Sequence, residues 1–250
     1  MRIAFDGTTL TPGRTGVGYY SEHLLRHLCR LPGSDVTVVS NRAIDTTTPL
    51  PPGVAVRTSR WHLPRLVWMQ AEAPRLLRRV RADVAHFTNG MMPMASSVPT
   101  VVTIHDMSLT LYPRFHPPRR VLLNRPLVNL AARRAHAIVT VSQSAKLDIV
   151  RWYAIDPGRV HVVHEAAAPE FRPIGDLRHL EQIRRRYQLA DRVILYVGTI
   201  EPRKNLSRLL EGFAARRKRG ALTHQLVCVG PYGWLSRDVD AQIDRLQIAD

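Results

Sequence analysis

The chain has 250 residues, enough for one to two domains of about 150 residues each and for a large core. Hydrophobic residues make up 45%, beside 14 glycines and 18 prolines, which excludes disordered, collagen-like and disulfide-stapled classes. The formal net charge is +16 and all but three of the 36 basic residues are arginine, so the surface attracts phosphate-rich anions without choosing among them.

Short apolar runs alternate with longer amphipathic stretches, the pattern of an α/β protein with a parallel sheet and helices on both faces. Strands are expected at 3–5, 36–40, 54–58, 84–87, 98–104, 137–141 and 160–163. The first strand ends at Asp6, and a loop with Gly7, Gly13, Gly16 and Gly18 leads into the first helix. Glycines there let a ligand approach the backbone, and free amides at a helix start favour an anion or a hydroxyl-rich group. The spacing is neither a Walker loop nor the dinucleotide fingerprint, and Ser40 and Asn41 stand where a ribose-binding acid is expected, which disfavours a dehydrogenase. On the helix, Val17, Tyr20, Leu24, Leu28 and Leu31 form the expected packing face. His23 and His27 share its i, i+4 spacing, but no third ligand is evident and no metal site is expected.

Trp61 to Trp68, continuing to Arg81, combines tryptophans, leucines and arginines as an anionic membrane surface would require; an ordinary helix with its apolar side in the core is the other reading. His86 ends one strand, and His105 and Asp106 follow another at the carboxyl edge, where open α/β sheets place ligands. Residues 167–178, with small residues, two prolines and a glycine, read as a linker between a Rossmann-like domain at 1–166 and the start of a second at 179–250. In the second, a helix is expected to Tyr187, strands at 193–197 and 226–229, and helices at 206–217 and from Ser236.

The loop from Thr199 through Glu201, Arg203 and Lys204 leads to Asn205, the expected N-cap of a helix packed by Leu206, Leu209, Leu210 and Phe213. Two cations at a helix N-terminus are unfavourable unless an anion such as a diphosphate binds there. Asp238 and Asp240 match D-x-D, but residues i and i+2 of a helix point apart, so a solvated face is expected. Arginine clusters at 75–81, 184–186 and 216–219 lack aromatic interleaving and any nucleic-acid-binding pattern, so no nucleic-acid partner is expected. Cys29 and Cys228 are expected as buried thiols of a reducing compartment, and no window is apolar enough for a membrane span.

Together these residues resemble glycosyltransferase family 4, the retaining GT-B class. The resemblance rests on the Gly13, Gly16, Gly18 loop, the segments 83–87, 101–106, 141–144 and 169–173, and most specifically on Val197 through Asn205. It implies a GT-B architecture, with an acceptor-binding first domain and a nucleotide-sugar-binding second one. By the same resemblance His105 is the catalytic residue and contacts the transferred sugar. Gly16, Gly18, Thr199, Arg203 and Lys204 bind the donor, and His86 and Asp106 are candidate substrate contacts. The implied reaction moves a hexose, with mannose favoured by Thr199, from a nucleotide diphosphate sugar to a glycan or lipid-linked acceptor. No cofactor or metal is expected. The setting implied is surface polysaccharide synthesis in the cytoplasm, with peripheral contact at the inner face of the cell membrane. The family's paired glutamates would lie beyond Asp250, so the second domain is expected to be incomplete and transfer by these residues alone is not expected. The alternatives are a non-enzymatic anion- or nucleic-acid-binding protein, or an inactive truncated transferase.

Overall fold

The computed structural model describes residues 1–45, 49–61, 63–236 and 238–249; the expectations attached to His62 and Asp250 fall outside these. The chain divides into two units, residues 1–111 with 121–166, and residues 112–120 with 167–250.

The first unit carries β1 (Arg2–Asp6), α1 (Gly16–Leu28), β2 (Asp35–Ser40), β3 (Ala55–Thr58), α2 (Arg65–Ala71), α3 (Ala73–Arg79), β4 (Val84–Phe87), β5 (Thr100–Thr103) and α4 (Ser108–Leu111). Most of α5 (Pro118–Arg134) follows, then β6 (Ala137–Thr140), α6 (Gln143–Tyr153) and β7 (Val160–Val162). All seven strands pair in parallel in the order β3-β2-β1-β4-β5-β6-β7. The order reverses between β1 and β4, and the crevice outside their carboxyl ends is where such sheets hold ligands. Alternation along β1 sends Ile3 and Phe5 to one apolar cluster, with Leu25 and Val38, and Ala4 to another, with Trp68, Leu77, Phe87 and Ile138, so both faces are covered.

Strand positions follow the apolar runs, with edges trimmed. The 98–104 run shortens to β5 because Pro99 has no amide to donate; its carbonyl accepts from Ala85 at 2.9 Å. The packing face of α1 keeps the expected Leu24 and Leu28, partly buried against the core, but its buried centre is Gly18, Ser21 and Leu25, and Leu31 is exposed. The reason is polar. Ser21 Oγ donates to Thr88 Oγ1 at 2.8 Å and lies 2.8 Å from Thr9 Oγ1, so the helix turns a small, hydrogen-bonding side toward the sheet. Ser142 caps α6 by accepting from the Ala145 amide at 3.1 Å.

The second unit carries α7 (Leu177–Arg186), β8 (Val193–Val197), α8 (Leu206–Lys218), β9 (Gln225–Val229) and α9 (Val239–Leu246). β8 and β9 pair in parallel, Val193 opposite Gln225 through Val197 opposite Val229. One face packs Tyr196 and Leu226 against Ile200, Leu206, Leu210, Val239 and Ile243. On the other, Leu195, Val197 and Val229 are 61%, 70% and 50% exposed. Leu209 also sits at the surface, so Ala214 completes the buried stripe of α8 in its place. α7 begins at Leu177, inside the stretch expected as linker, because the Asp176 carboxylate accepts from the amides of Arg178 and His179.

The segment 112–120, expected with the first domain, belongs to the second unit. Trp234 holds it there: the indole N–H donates to the Phe115 carbonyl at 2.8 Å, the ring stacks on His116, and the Arg120 guanidinium lies 4.7 Å from its centre. Neither thiol is fully buried: Cys29 is half-buried and Cys228 exposed, on a strand whose surroundings leave much of its length open. The basic clusters have a local cause. Arg78 and Arg79, Arg184 to Arg186, and Arg216 to Lys218 each occupy the last turn of a helix, where the dipole favours positive charge. Among the described residues, no helix is long and apolar enough to cross a membrane.

Candidate functional site

In the first unit the candidate residues gather at the carboxyl ends of β1, β4 and β5. Gly18 is required by the fold, since a Cβ there would lie 2.9 Å from the Thr9 carbonyl oxygen. Gly16, at the first position of α1, faces open space, so its backbone is approachable and the helix's leading amides point outward. The loop between them and β1 is held from behind by Arg14, 6% exposed. Arg14 pairs with Glu22 and, at 3.2 Å, with Asp45.

His86 and His105 come from adjacent strands and are brought together. His86 Nε2 is 2.8 Å from Thr103 Oγ1; burial and the nearby charge of His105 push its pKa down to about 4, so the ring is neutral at neutral pH. His105 Nε2 is 3.0 Å from the Thr88 carbonyl, which only accepts, so this nitrogen carries a proton; Nδ1 is 3.3 Å from Glu165 Oε1. The ring of Tyr20 meets His105 edge to face, with centroids 4.7 Å apart. Asp106 Oδ1 accepts from the Ser108 amide at 2.9 Å and so caps its own turn. Tyr20 as a site residue, Glu165 and Thr88 escape sequence reading: they lie 17 to 85 positions from His105, and no local spacing marks them. Asp6 is buried as well, accepting from the Thr8 amide at 3.0 Å, with Arg65 Nη2 at 3.7 Å from its other oxygen.

In the second unit, the loops after β8 and β9 lock together through the backbone. Gly198 N–H donates to the Val229 carbonyl, Ile200 N–H to Pro231 and Gly233 N–H to Ile200, each at 2.9 Å. A Cβ on Gly230, whose φ is +150°, would run into the Gly198 carbonyl. Thr199 packs by its methyl against Gly233, where a Cβ would come within 2.7 Å of it. Glu201 is buried and accepts from Arg203 Nη2 at 2.9 Å, which fixes one arm of the guanidinium. Arg203 and Lys204 stand in a 3-10 turn, Pro202–Lys204, just ahead of α8. Asn205 is not a side-chain cap: it takes the left-handed conformation, φ +56°, that joins the turn to the helix, a geometry asparagine tolerates. Lys204 is exposed, and among the described residues no carboxylate lies within ion-pair reach of it. Asp240 accepts from the Tyr232 hydroxyl at 2.7 Å, tying that aspartate to the second loop.

The two edges offer different chemistry. The first presents helix amides and a proton-bearing imidazole; the second presents a fixed guanidinium and an exposed ammonium ahead of a helix, a pairing of charge that suits an anion.

The model of Glycosyltransferase Family 4 matches residues 14–171. O-antigen chain mannosyltransferase B of Escherichia coli is 30% identical over 135 residues, 54% of this chain and 35% of the relative. Alpha-D-kanosaminyltransferase of Streptomyces kanamyceticus is 27% identical over 176 residues, 64% of this chain and 45% of the relative. The chain therefore spans less than half the length of both. Among solved structures, Anabaena Alr3699/HepE in complex with UDP and glucose superposes over 100% of this chain and 67% of its own, with a TM-score of 0.72 at 17% identity. That likeness shows the GT-B type of α/β fold.

Proposed function

From the premise that the chain belongs to glycosyltransferase family 4, we propose that it serves the retaining transfer of a hexose, mannose or a related sugar, from a nucleotide diphosphate sugar to a glycan or lipid-linked acceptor. The observation that carries this reading is the turn ahead of α8, where Arg203 is fixed by Glu201 and Lys204 is exposed with no carboxylate partner among the described residues. Negative charge grows on a departing diphosphate, so preorganised cations and helix amides act most strongly there. With that charge supplied by Arg203, Lys204 and Thr199's loop, the reaction calls on no metal.

On the first unit, His105 meets the transferred sugar, His86 and Asp106 line the edge, and the loop of Gly16 and Gly18 takes a phosphate or hydroxyl-rich group. The leaving phosphate accepts the proton of the attacking hydroxyl, so no carboxylate nucleophile is needed. A role in surface polysaccharide synthesis is supported by the O-antigen relative. Peripheral contact with an anionic membrane draws its support from Trp61 and Val67, exposed at 70% and 50%; Trp68, Met69, Leu76 and Leu77 of the same stretch are buried in the core.

Calorimetry with UDP tests the reading. Lys204→Ala is expected to weaken binding about tenfold to a hundredfold, the loss of roughly 1.5–3 kcal/mol for a charge-assisted contact. Unchanged affinity would remove the diphosphate from this loop.

A further inference from the structure

Tyr20 sits one turn into α1, four residues after Gly16, and belongs to three elements at once. Its ring edge meets the His105 ring at 88°, and its hydroxyl lies 3.3 Å from Thr103 Oγ1. Thr103 is fully buried on β5, and the same oxygen is 2.8 Å from His86 Nε2 on β4. We infer that Tyr20 is a positioning residue: it fixes the plane of the His105 imidazole relative to the glycine-loop end of α1, with Thr103 and His86 as its anchor. The inference rests on the transferase reading for its purpose, but not for its geometry.

His105 is held at Nε2 by the Thr88 carbonyl, and a single hydrogen bond leaves a ring free to rotate about that direction. A second restraint must set the plane. The edge-to-face contact with Tyr20 supplies it on one side, and Glu165 stands at Nδ1 on another. The anchor is matched in hydrogen bonding. Thr103 Oγ1 has one proton and two lone pairs, enough to serve Tyr20 and His86 together, with the proton chain running in either direction. Burial raises the Tyr20 pKa, and the charge of Glu165 adds to this while the Thr103 contact opposes it, so the phenol keeps its proton. His86, held neutral, brings one N–H and one lone pair. Core filling does not account for the residue. The buried side of α1 is Gly18, Ser21 and Leu25, and Tyr20 is left half-buried against polar rings.

The test reads the histidine rings directly, by long-range ¹H–¹⁵N spectra of the 250-residue chain without any substrate. The parent should show His105 as one species protonated at Nε2. Tyr20→Phe, which keeps the ring, should retain that signature while shifting the His86 resonances through Thr103. Tyr20→Leu should broaden or split the His105 signals. In a transfer assay of the enzyme with its second domain complete, the leucine variant should lose turnover about tenfold with UDP affinity within about twofold, and phenylalanine should rescue it. Should Tyr20→Leu fail to fold by circular dichroism, Tyr20→Met decides, since it also removes the ring that faces His105 while keeping a long apolar side chain, and should disturb His105 in the same way. Parent-like His105 signals in Tyr20→Leu, or in Tyr20→Met where leucine does not fold, would overturn the inference. Loss of the transferase reading would instead show in the Lys204→Ala titration and leave the ring spectra as they are.

Discussion

The first unit seats seven parallel strands between two apolar clusters, whereas the second, across its described residues, seats two strands against one. Phe5, Leu25, Val38 and Ile138 are sealed from solvent, while Leu195, Val197 and Val229 stand at least half exposed. Both units nevertheless present a glycine-bearing loop at the carboxyl edge of their strands. In the first, side chains steady it: Arg14 between Glu22 and Asp45, and Ser21 between Thr9 and Thr88. In the second, backbone bonds among Gly198, Val229, Ile200, Pro231 and Gly233 do the same work. A binding edge needs a fixed backbone, and a deep core is one way of fixing it; close glycine contact is another.

If that contrast is sound, the units respond separately to damage. Phe5→Ala should cost the first unit roughly 3–5 kcal/mol, read as lost amide protection in β1, β2 and β4. Protection in β8 and β9 should hold; if both units melt together, the contrast fails.

Acid should reach the first unit through His86. His86 has its folded pKa depressed to about 4 by burial first and the His105 charge second. The unfolded chain therefore takes up a proton, from its ordinary value near 6.5, that the folded chain refuses. The stability contributed is complete above about pH 6.5 and is lost as pH falls toward 4, by about 3 kcal/mol in all. Urea titrations across that range should show the loss in the first unit, and His86→Gln should flatten it.

Gly230→Ala sharpens the comparison from the other side. The new Cβ meets the Gly198 carbonyl at a backbone angle that suits glycine, so the second unit should lose roughly 1–3 kcal/mol and with it UDP affinity. Thermal unfolding followed at the first unit should not move.

The strands were legible because parallel strands buried on both faces read as continuous apolar runs, as 36–40 and 137–141 do. The candidate edges were legible too, since His86 lies near the end of such a run, His105 just past one, and Arg203 and Lys204 in the loop that follows another. The face of α1 was legible only in part. Hydropathy finds Leu24 and Leu28, which do pack against the core, but not the centre of the face, where the helix meets the Thr9 carbonyl through Gly18 and a hydroxyl network through Ser21, which no apolarity scale weighs. Nor could the partners of His105 be seen, because Tyr20 and Glu165 reach it only through the sheet order. Asn205 shows the same limit at a smaller scale: its residue type suits a cap, and its backbone instead uses the other talent of asparagine, a left-handed joint.

The central claim is that a nucleoside diphosphate is held by the loop between β8 and α8. Amide hydrogen exchange of the 250-residue chain, with and without saturating UDP, tests it most directly. The account predicts that added protection centres on Gly198 through Leu206. Protection confined to the arginine-rich last turns of α3, α7 and α8, with that loop exchanging as before, would contradict it.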